Sequence, residues 1–282
     1  MTIECIVLDF DGTFTRVDEE AKPFLASFRE GFETRMGSEL AGRWDEVTQR
    51  VQADPDRYGW EFEERIVAPS HADPYVLANT VGQILLADAG ISSAGARSEI
   101  LDALFKQSYP KAGIAFRDDA RVVVEALALS GIPLFVVTNS RTDHVKAKLD
   151  ALAPEGRERL DVRGEARKFV IGAPDKQSEL FDRVPETMHV PGLERPLYLH
   201  RGPYFEVLQR IWDETGTEPR RTLVCGDIFE LDLAMPAHLG TRVHLVTRPS
   251  TPDWERRAVR SMPGGTASAE LRGLLDQLEL PG

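Results

Sequence analysis

The sequence predicts an α/β fold: a parallel sheet with helices on both faces, interrupted by an inserted helical domain. Three observations lead to it. Four short apolar runs lack the polar alternation of a strand with one wet face, as strands buried on both faces do. Helical patterns separate these runs, the arrangement of βαβ units with right-handed crossovers. Between the first run and the next sheet-domain helix, about 100 residues carry almost only helical periodicity.

The first strand is expected over residues 3–8 (IECIVL), ending on LDFDGT. Residues 17–116 then read as the insertion. Phe24, Phe28 and Phe32 recur at i, i+4 and i+8, a second apolar stripe runs over 76–89, and a third over 98–105. Such stripes are the core of a helical domain rather than a ligand box. Residues 117–129 carry Val122, Val123 and Leu127 on a helix before the second strand, 132–137; Val145, Leu149 and Leu152 then share a helical face. Residues 153–196, rich in Pro, Gly and charge, hold one candidate strand at 169–171 and read as a small lobe or a long excursion. Phe205, Leu208, Ile211 and Trp212 mark the next helix, followed by strands at 222–225 and 243–246. Leu271, Leu274, Leu275 and Leu278 predict a final helix docked on the sheet domain. The sheet domain is thus expected from 1–16 and 117–282. In such sheets, ligands bind outside the carboxyl ends of the strands.

The chain has 282 residues, 42% hydrophobic and 28% charged, enough for a sizeable core. Its formal net charge of −12, with no block of Lys or Arg, argues against a nucleic-acid partner. Every long apolar segment is broken by Glu, Ser, Gly or Pro, so no membrane span or export signal is expected. Cys5 and Cys225 sit inside apolar runs, as small buried hydrophobes do, and a reducing, cytoplasmic setting is expected. Nothing in the sequence indicates the oligomeric state.

Asp9 and Asp11 stand two positions apart where the first strand leaves the core, with Gly12 next. Residues i and i+2 of a strand point the same way, and two carboxylates that close repel by about 4 kcal/mol at a protein-like dielectric. An Asp-Gly turn is one reading of this stretch. A calcium loop is excluded, because Phe14 stands where such a loop needs glycine and a buried strand precedes it. The other strand ends point further: the second delivers Thr138, Asn139 and Ser140, and the third delivers Gly226 and Asp227 with Asp232 five residues on. Three polar constellations at three strand ends converge on a site, where Mg²⁺ would offset the repulsion of Asp9, Asp11 and Asp227.

DFDGT, VVTN and GDIFELD, in this order on a strand-helix frame, resemble motifs of the haloacid dehalogenase-like hydrolases. The resemblance implies a Rossmann-like core with an inserted C1-type cap and a phosphoryl-transfer site. It implies Asp9 as nucleophile forming an aspartyl-phosphate and Asp11 as general acid and base. It further implies Mg²⁺ on a carboxylate oxygen of Asp9, the backbone carbonyl of Asp11 and the side chain of Asp227, with Asp232 as a further ligand or support. Thr138 and Asn139 would hold the phosphoryl oxygens. The dehalogenase and phosphonatase branches carry another residue in place of Asp11, so phosphate chemistry is expected.

One departure stands out: the family's usual lysine before the helix preceding the last aspartates is absent, and YLHRGPYF places Arg201 there. Arg201 is therefore expected to bind phosphate, ahead of Lys176 and Lys168, with His200 structural or exposed. In the insertion, Arg65, His71 and Trp60 are candidates for substrate contact that ordinary surface or core roles explain equally well. The expected activity is a Mg²⁺-dependent phosphomonoester hydrolase acting on a small phosphorylated metabolite. The alternative is a phosphotransferase, phosphomutase or phospho-ligand-binding member, suggested by Arg201, by segment 153–196 and by Arg16, where the family often has an acidic residue.

Overall fold

The computed structural model describes residues 2–54 and 57–278. Strand β1 (Cys5–Leu8) leads to an insertion with α1 (Val17–Met36), α2 (Ser38–Ala41), α3 (Trp44–Ala53), β2 (Gly59–Phe62), β3 (Arg65–Pro69), α4 (Pro74–Asp88) and α5 (Ala94–Ser108). The chain continues through α6 (Ala120–Leu129), β4 (Leu134–Val137), α7 (Thr142–Leu152), β5 (Leu160–Arg163), α8 (Glu179–Asp182), β6 (Thr187–Met188) and β7 (Leu197–Tyr198). It ends with α9 (Gly202–Thr215), β8 (Thr222–Gly226), α10 (Ala234–His238), β9 (Arg242–Val246), α11 (Asp253–Ser261) and β10 (Gly265–Ser268). Two compact units result: Met1–Arg16 with Phe116–Gly282, and Val17–Ala115.

The first unit holds a six-stranded sheet in the order β10-β9-β8-β1-β4-β5, with every neighbouring pair parallel. Side-chain alternation sorts each strand between two cores. Cys5 and Val7, Phe135 and Val137, Val224, Val243 and Leu245 join one core with α9 and α11. Ile6 and Leu8, Leu134 and Val136, Leu223 and Cys225 join the other, with Val123 and Leu127 of α6 and Val145 and Leu149 of α7. Both faces are dry, which is why the strands read as continuous apolar runs. Both cysteines are free and buried.

Two edge strands, β5 and β10, escape the apolar-run criterion. Asp161 of β5 is exposed, and β10 is the small-residue run GTAS. The strand expected at 169–171 is not formed: Phe169 lies in a turn, and the ladder contact falls instead between Gly172 and Arg201. Segment 153–196 supplies β5 and then runs as an excursion packed on the first core through Phe181, Val184, Val190 and Leu193. The tail is a 3₁₀ helix, Leu271–Gln277, not an α-helix; Leu271 and Leu274, three apart, enter the core shared with α6, as a three-residue turn requires.

In the second unit, Phe24, Phe28 and Phe32 of α1 pack with Trp44, Val47 and Val51 of α3, Val81 and Leu85 of α4, and Leu101 and Leu104 of α5. A β2–β3 hairpin, not expected from the sequence, is stapled to α4 by Gln83, which accepts from Glu61 N (2.9 Å) and donates to Glu61 O (2.5 Å). Among the described residues, no helix is long and apolar enough to cross a membrane.

Candidate active site

Parallel strands end together, and β1, β4 and β8 bring their terminal residues to one edge. Asp9 N donates to Cys225 O at 2.8 Å, extending the β1–β8 ladder one residue past β1 and leaving Asp9 8% exposed. Gly12 then turns the chain with φ +84°, and a Cβ there would lie 2.2 Å from Asp227 Oδ2. Only glycine satisfies both the dihedral and the contact. Arg117 fixes this turn from the segment leading into α6, its Nε and Nη2 donating to Gly12 O at 3.2 and 2.9 Å.

The strand ends are joined by a loop that runs back from β5. Thr138 N donates to Arg163 O, Ala166 N to Thr138 O and Glu165 N to Ser140 O, so residues 163–166 zip onto the end of β4. Glu165 and Arg167 hold left-handed backbone (φ 56° and 50°), a strain that marks over-determined, often functional, segments. Lys168 N donates to Asn139 Oδ1 at 2.8 Å. The loop thereby delivers Lys168 to the aspartates: its Nζ donates to Asp9 Oδ1 at 2.7 Å and to Asp232 Oδ1 at 2.8 Å, fully buried. Asn139 thus spends its side-chain oxygen on loop architecture.

Asp11 is held separately. Ser140 Oγ donates to its Oδ2 at 2.5 Å, and Lys148 Nζ, from α7, donates to its Oδ1 at 2.8 Å. Thr138 is 1% exposed, and its Oγ1 accepts from Ser140 N at 3.1 Å. Asp227 faces the guanidinium of Arg248, with Nε 3.1 Å from Oδ2. Asp232 is fixed by the π-helical turn Phe229–Leu233, and its Oδ2 accepts from Ile228 N at 3.1 Å. A Cβ at Gly226 would lie 2.4 Å from Asp232 Cβ, so that glycine admits the approach.

The repulsion that the sequence implied is answered inside the protein, by Lys168 at Asp9, Lys148 at Asp11 and Arg248 at Asp227. Burial nevertheless pushes Asp9 up to about 7, against the pull of Lys168 and with the push of Asp232. Burial opposes the charge on Lys168, but Asp232 and Asp9 outweigh it and hold the ammonium above its ordinary range.

Arg201 does not take the place expected of it. Its side chain is fully buried beneath the loop, donating from Nε to Tyr198 O (3.0 Å) and from Nη1 to Lys168 O (2.7 Å). Its Nη2 lies 3.6 Å from Glu230, which also takes a two-point bond from Arg195. Sequence proximity to α9 suggested Arg201; the loop brings Lys168 to the carboxylates and uses Arg201 to hold Lys168's backbone. His200 is structural, its Nε2 2.7 Å from Val184 O, and Lys176 is exposed in a bend. Trp60 and Arg65 lie on the β2–β3 hairpin and His71 just beyond it, all in the second unit. Sequence reasoning missed Lys148, Arg248 and Arg117 altogether. Arg248 was within reach, since it stands two residues past another strand end.

Asp9, Asp227 and Asp232 each offer a carboxylate oxygen, all within 4.8 Å of one another and buried. A set made only of hard oxygen donors suits Mg²⁺. The arrangement combines a desolvated carboxylate, a second carboxylate at i+2 with its own hydrogen bonds, and hydroxyl groups at the neighbouring strand end. It can support nucleophilic attack by one carboxylate and proton transfer by the other.

The sequence model of the haloacid dehalogenase-like hydrolases matches residues 3–240, and the chain belongs to this family. No curated protein matches it in sequence. Among solved structures, a predicted phosphoglycolate phosphatase from Haemophilus somnus 129pt superposes with a TM-score of 0.54 at 14% identity, covering 98% of each chain. A protein given as a haloacid dehalogenase-like hydrolase from Bacteroides fragilis reaches 0.54 at 15% identity, over 97% of this chain and 100% of that one. A 2-haloacid dehalogenase from Pseudomonas syringae pv. Tomato DC3000 reaches 0.48 at 16% identity, covering 98% of each. At these identities the likeness is one of fold.

Proposed function

We propose that the chain is a Mg²⁺-dependent phosphomonoester hydrolase acting on a small phosphorylated metabolite through an aspartyl-phosphate. Asp11 carries the reading. A halide leaves without a proton, whereas the alkoxide of a phosphate ester needs one, and Asp11 stands two residues from Asp9 at the same strand end. A second carboxylate there can supply the leaving-group proton that a phosphate ester needs and halide displacement does not.

In this scheme a carboxylate oxygen of Asp9 attacks phosphorus and the ester P–O bond breaks, Asp11 giving its proton to the departing oxygen. Asp11 then takes a proton from the water that attacks the aspartyl-phosphate, releasing inorganic phosphate and restoring Asp9. Lys168 holds Asp9 at 2.7 Å and contributes positive charge beside the incoming phosphoryl group. Thr138 and Asn139 border the phosphoryl oxygens at the end of β4. Asp9, Asp227 and the carbonyl of Asp11, with Asp232 in support, would hold Mg²⁺, which would supply several kcal/mol of charge stabilisation when bound.

A panel of phosphorylated metabolites with wild type, Asp9→Asn and Asp11→Asn tests this reading. Asp9→Asn should abolish turnover. Asp11→Asn should lose at least about 100-fold on alkyl phosphates, in line with general acid catalysis, and less on an aryl phosphate, whose oxygen leaves unaided. Undiminished turnover by Asp9→Asn, or halide release from 2-haloacids in preference to phosphate release, would overturn it. Substrate loss without matching inorganic phosphate would point to a phosphoryl acceptor other than water.

A further inference from the structure

Arg248 brings a fixed cation to the carboxylate that the proposed function gives to Mg²⁺. It stands two residues past β9, and its side chain is 7% exposed with Nε 3.1 Å from Asp227 Oδ2. Its backbone is anchored three times: Arg248 N donates to Thr251 Oγ1 (2.8 Å), and Arg248 O accepts from Thr251 N (3.0 Å) and Arg256 Nη2 (3.2 Å). Asp227 is equally confined, its Oδ2 occupying the place where a Cβ on Gly12 would stand. The guanidinium therefore meets the carboxylate by construction of two loops. Like charges packed against one acceptor repel strongly where water is excluded, so Arg248 and a divalent ion oppose each other at Asp227.

We propose that Arg248 is a positioning residue that orients Asp227 and sets the divalent-cation affinity of the site, yielding the carboxylate when a cation takes it. A second buried carboxyl, Glu255 on α11, is pushed up to about 8 by burial, with Arg248's charge pulling the other way. Glu255 already accepts from Phe229 N at 3.1 Å, which fixes its place beside the turn that carries Asp232. The inference rests on the metal assignment of the preceding section.

Calorimetric titration of the full chain with MgCl₂ alone, comparing wild type, Arg248→Gln and Arg248→Lys, tests it. Arg248→Gln should bind Mg²⁺ at least about tenfold more tightly than wild type, since a like charge leaves the acceptor. Arg248→Lys, which keeps the charge, should stay within about threefold of wild type on the same argument. Equal or weaker binding by Arg248→Gln overturns the proposal and leaves the metal assignment standing. Absence of Mg²⁺ binding in wild type and Arg248→Gln alike overturns both. Should Arg248→Gln not fold, the arginine Nε–H resonances of ¹⁵N-labelled wild type give the answer. The signal assigned to Arg248 by its loss in Arg248→Lys should shift as Mg²⁺ saturates, and an unmoved signal with Mg²⁺ bound overturns the proposal.

Discussion

The ammonium of Lys168 lies 2.7 Å from the carboxylate of Asp9, 159 positions away in sequence, and both groups are buried. The same ammonium reaches Asp232, so one cation ties together the ends of the first and third expected strands. Breaking a buried pair from one side leaves a desolvated charge at a cost of about 3–5 kcal/mol. Lys168→Met should therefore lower stability by about 3 kcal/mol in urea unfolding and reduce kcat at least about 100-fold. Adding Asp9→Asn to Lys168→Met should recover part of the stability by removing one stranded carboxylate. No recovery would show that the pair contributes nothing.

Arg201 gives the opposite pattern. Its guanidinium serves Tyr198 O, Lys168 O and Glu230 in the interior, and burial lowers it to about 10. Lysine cannot reproduce that fork. Arg201→Lys should cost about 2 kcal/mol of stability while KM for the phosphorylated substrate stays within about twofold, since uniform substrate binding is untouched. A large rise in KM with stability unchanged would return Arg201 to the phosphate.

Gly12→Ala places a methyl group 2.2 Å from Asp227 Oδ2 at a backbone φ of +84°. Gly90→Ala is its control, because Gly90 has φ +88° and nothing within 4 Å of the added carbon. Both variants should lose about 1 kcal/mol to the dihedral. Only Gly12→Ala should also weaken Mg²⁺ binding, by more than about tenfold, as Asp227 is pushed aside. Equal Mg²⁺ affinity in the two variants would separate Asp227 from the metal.

His244 makes stability depend on pH. It sits on β9 with Nδ1 2.7 Å from Thr266 Oγ1 and Nε2 2.8 Å from Ser268 Oγ, and burial lowers it from 6.5 to about 4. With the folded value below the unfolded one, the unfolded chain takes up the proton first as pH falls. The stabilisation present above pH 6.5 is lost on the way down to about pH 4. The gap corresponds to about 3 kcal/mol. Chemical denaturation should show wild type losing about that much more than His244→Gln between pH 7 and 4, and parallel losses would rule out the titration.

Much of this architecture is legible in the chain. Runs such as 222–225 and 243–246 could be read because a strand dry on both faces has no polar alternation to blur it. The edge strands β5 and β10 could not, since each has neighbours on one side only and keeps polar or small residues. The hairpin of β2 and β3 was hidden for a related reason: its turn uses Glu63 and Glu64 at positive φ where glycine or asparagine would have signalled it. Strand-end logic located Asp9, Asp11, Thr138 and Asp227, because parallel strands bring consecutive carboxyl ends to one edge whatever lies between them.

The sequence by itself determined the sheet, the insertion and the acidic edge, for these follow from local periodicity and from chain direction. Only the tertiary structure decided which cations answer those carboxylates. Lys168, Lys148 and Arg248 come from a strained loop, a helix and a fourth strand end, and no spacing rule links them to Asp9, Asp11 and Asp227. Arg201 illustrates the difference. By position it belonged with the phosphate, but the bend at Glu165 and Arg167 delivers Lys168 instead and leaves Arg201 beneath it as backbone support. Pairing of buried charges is settled by where loops can bend, and that information is spread over contacts far apart in the chain.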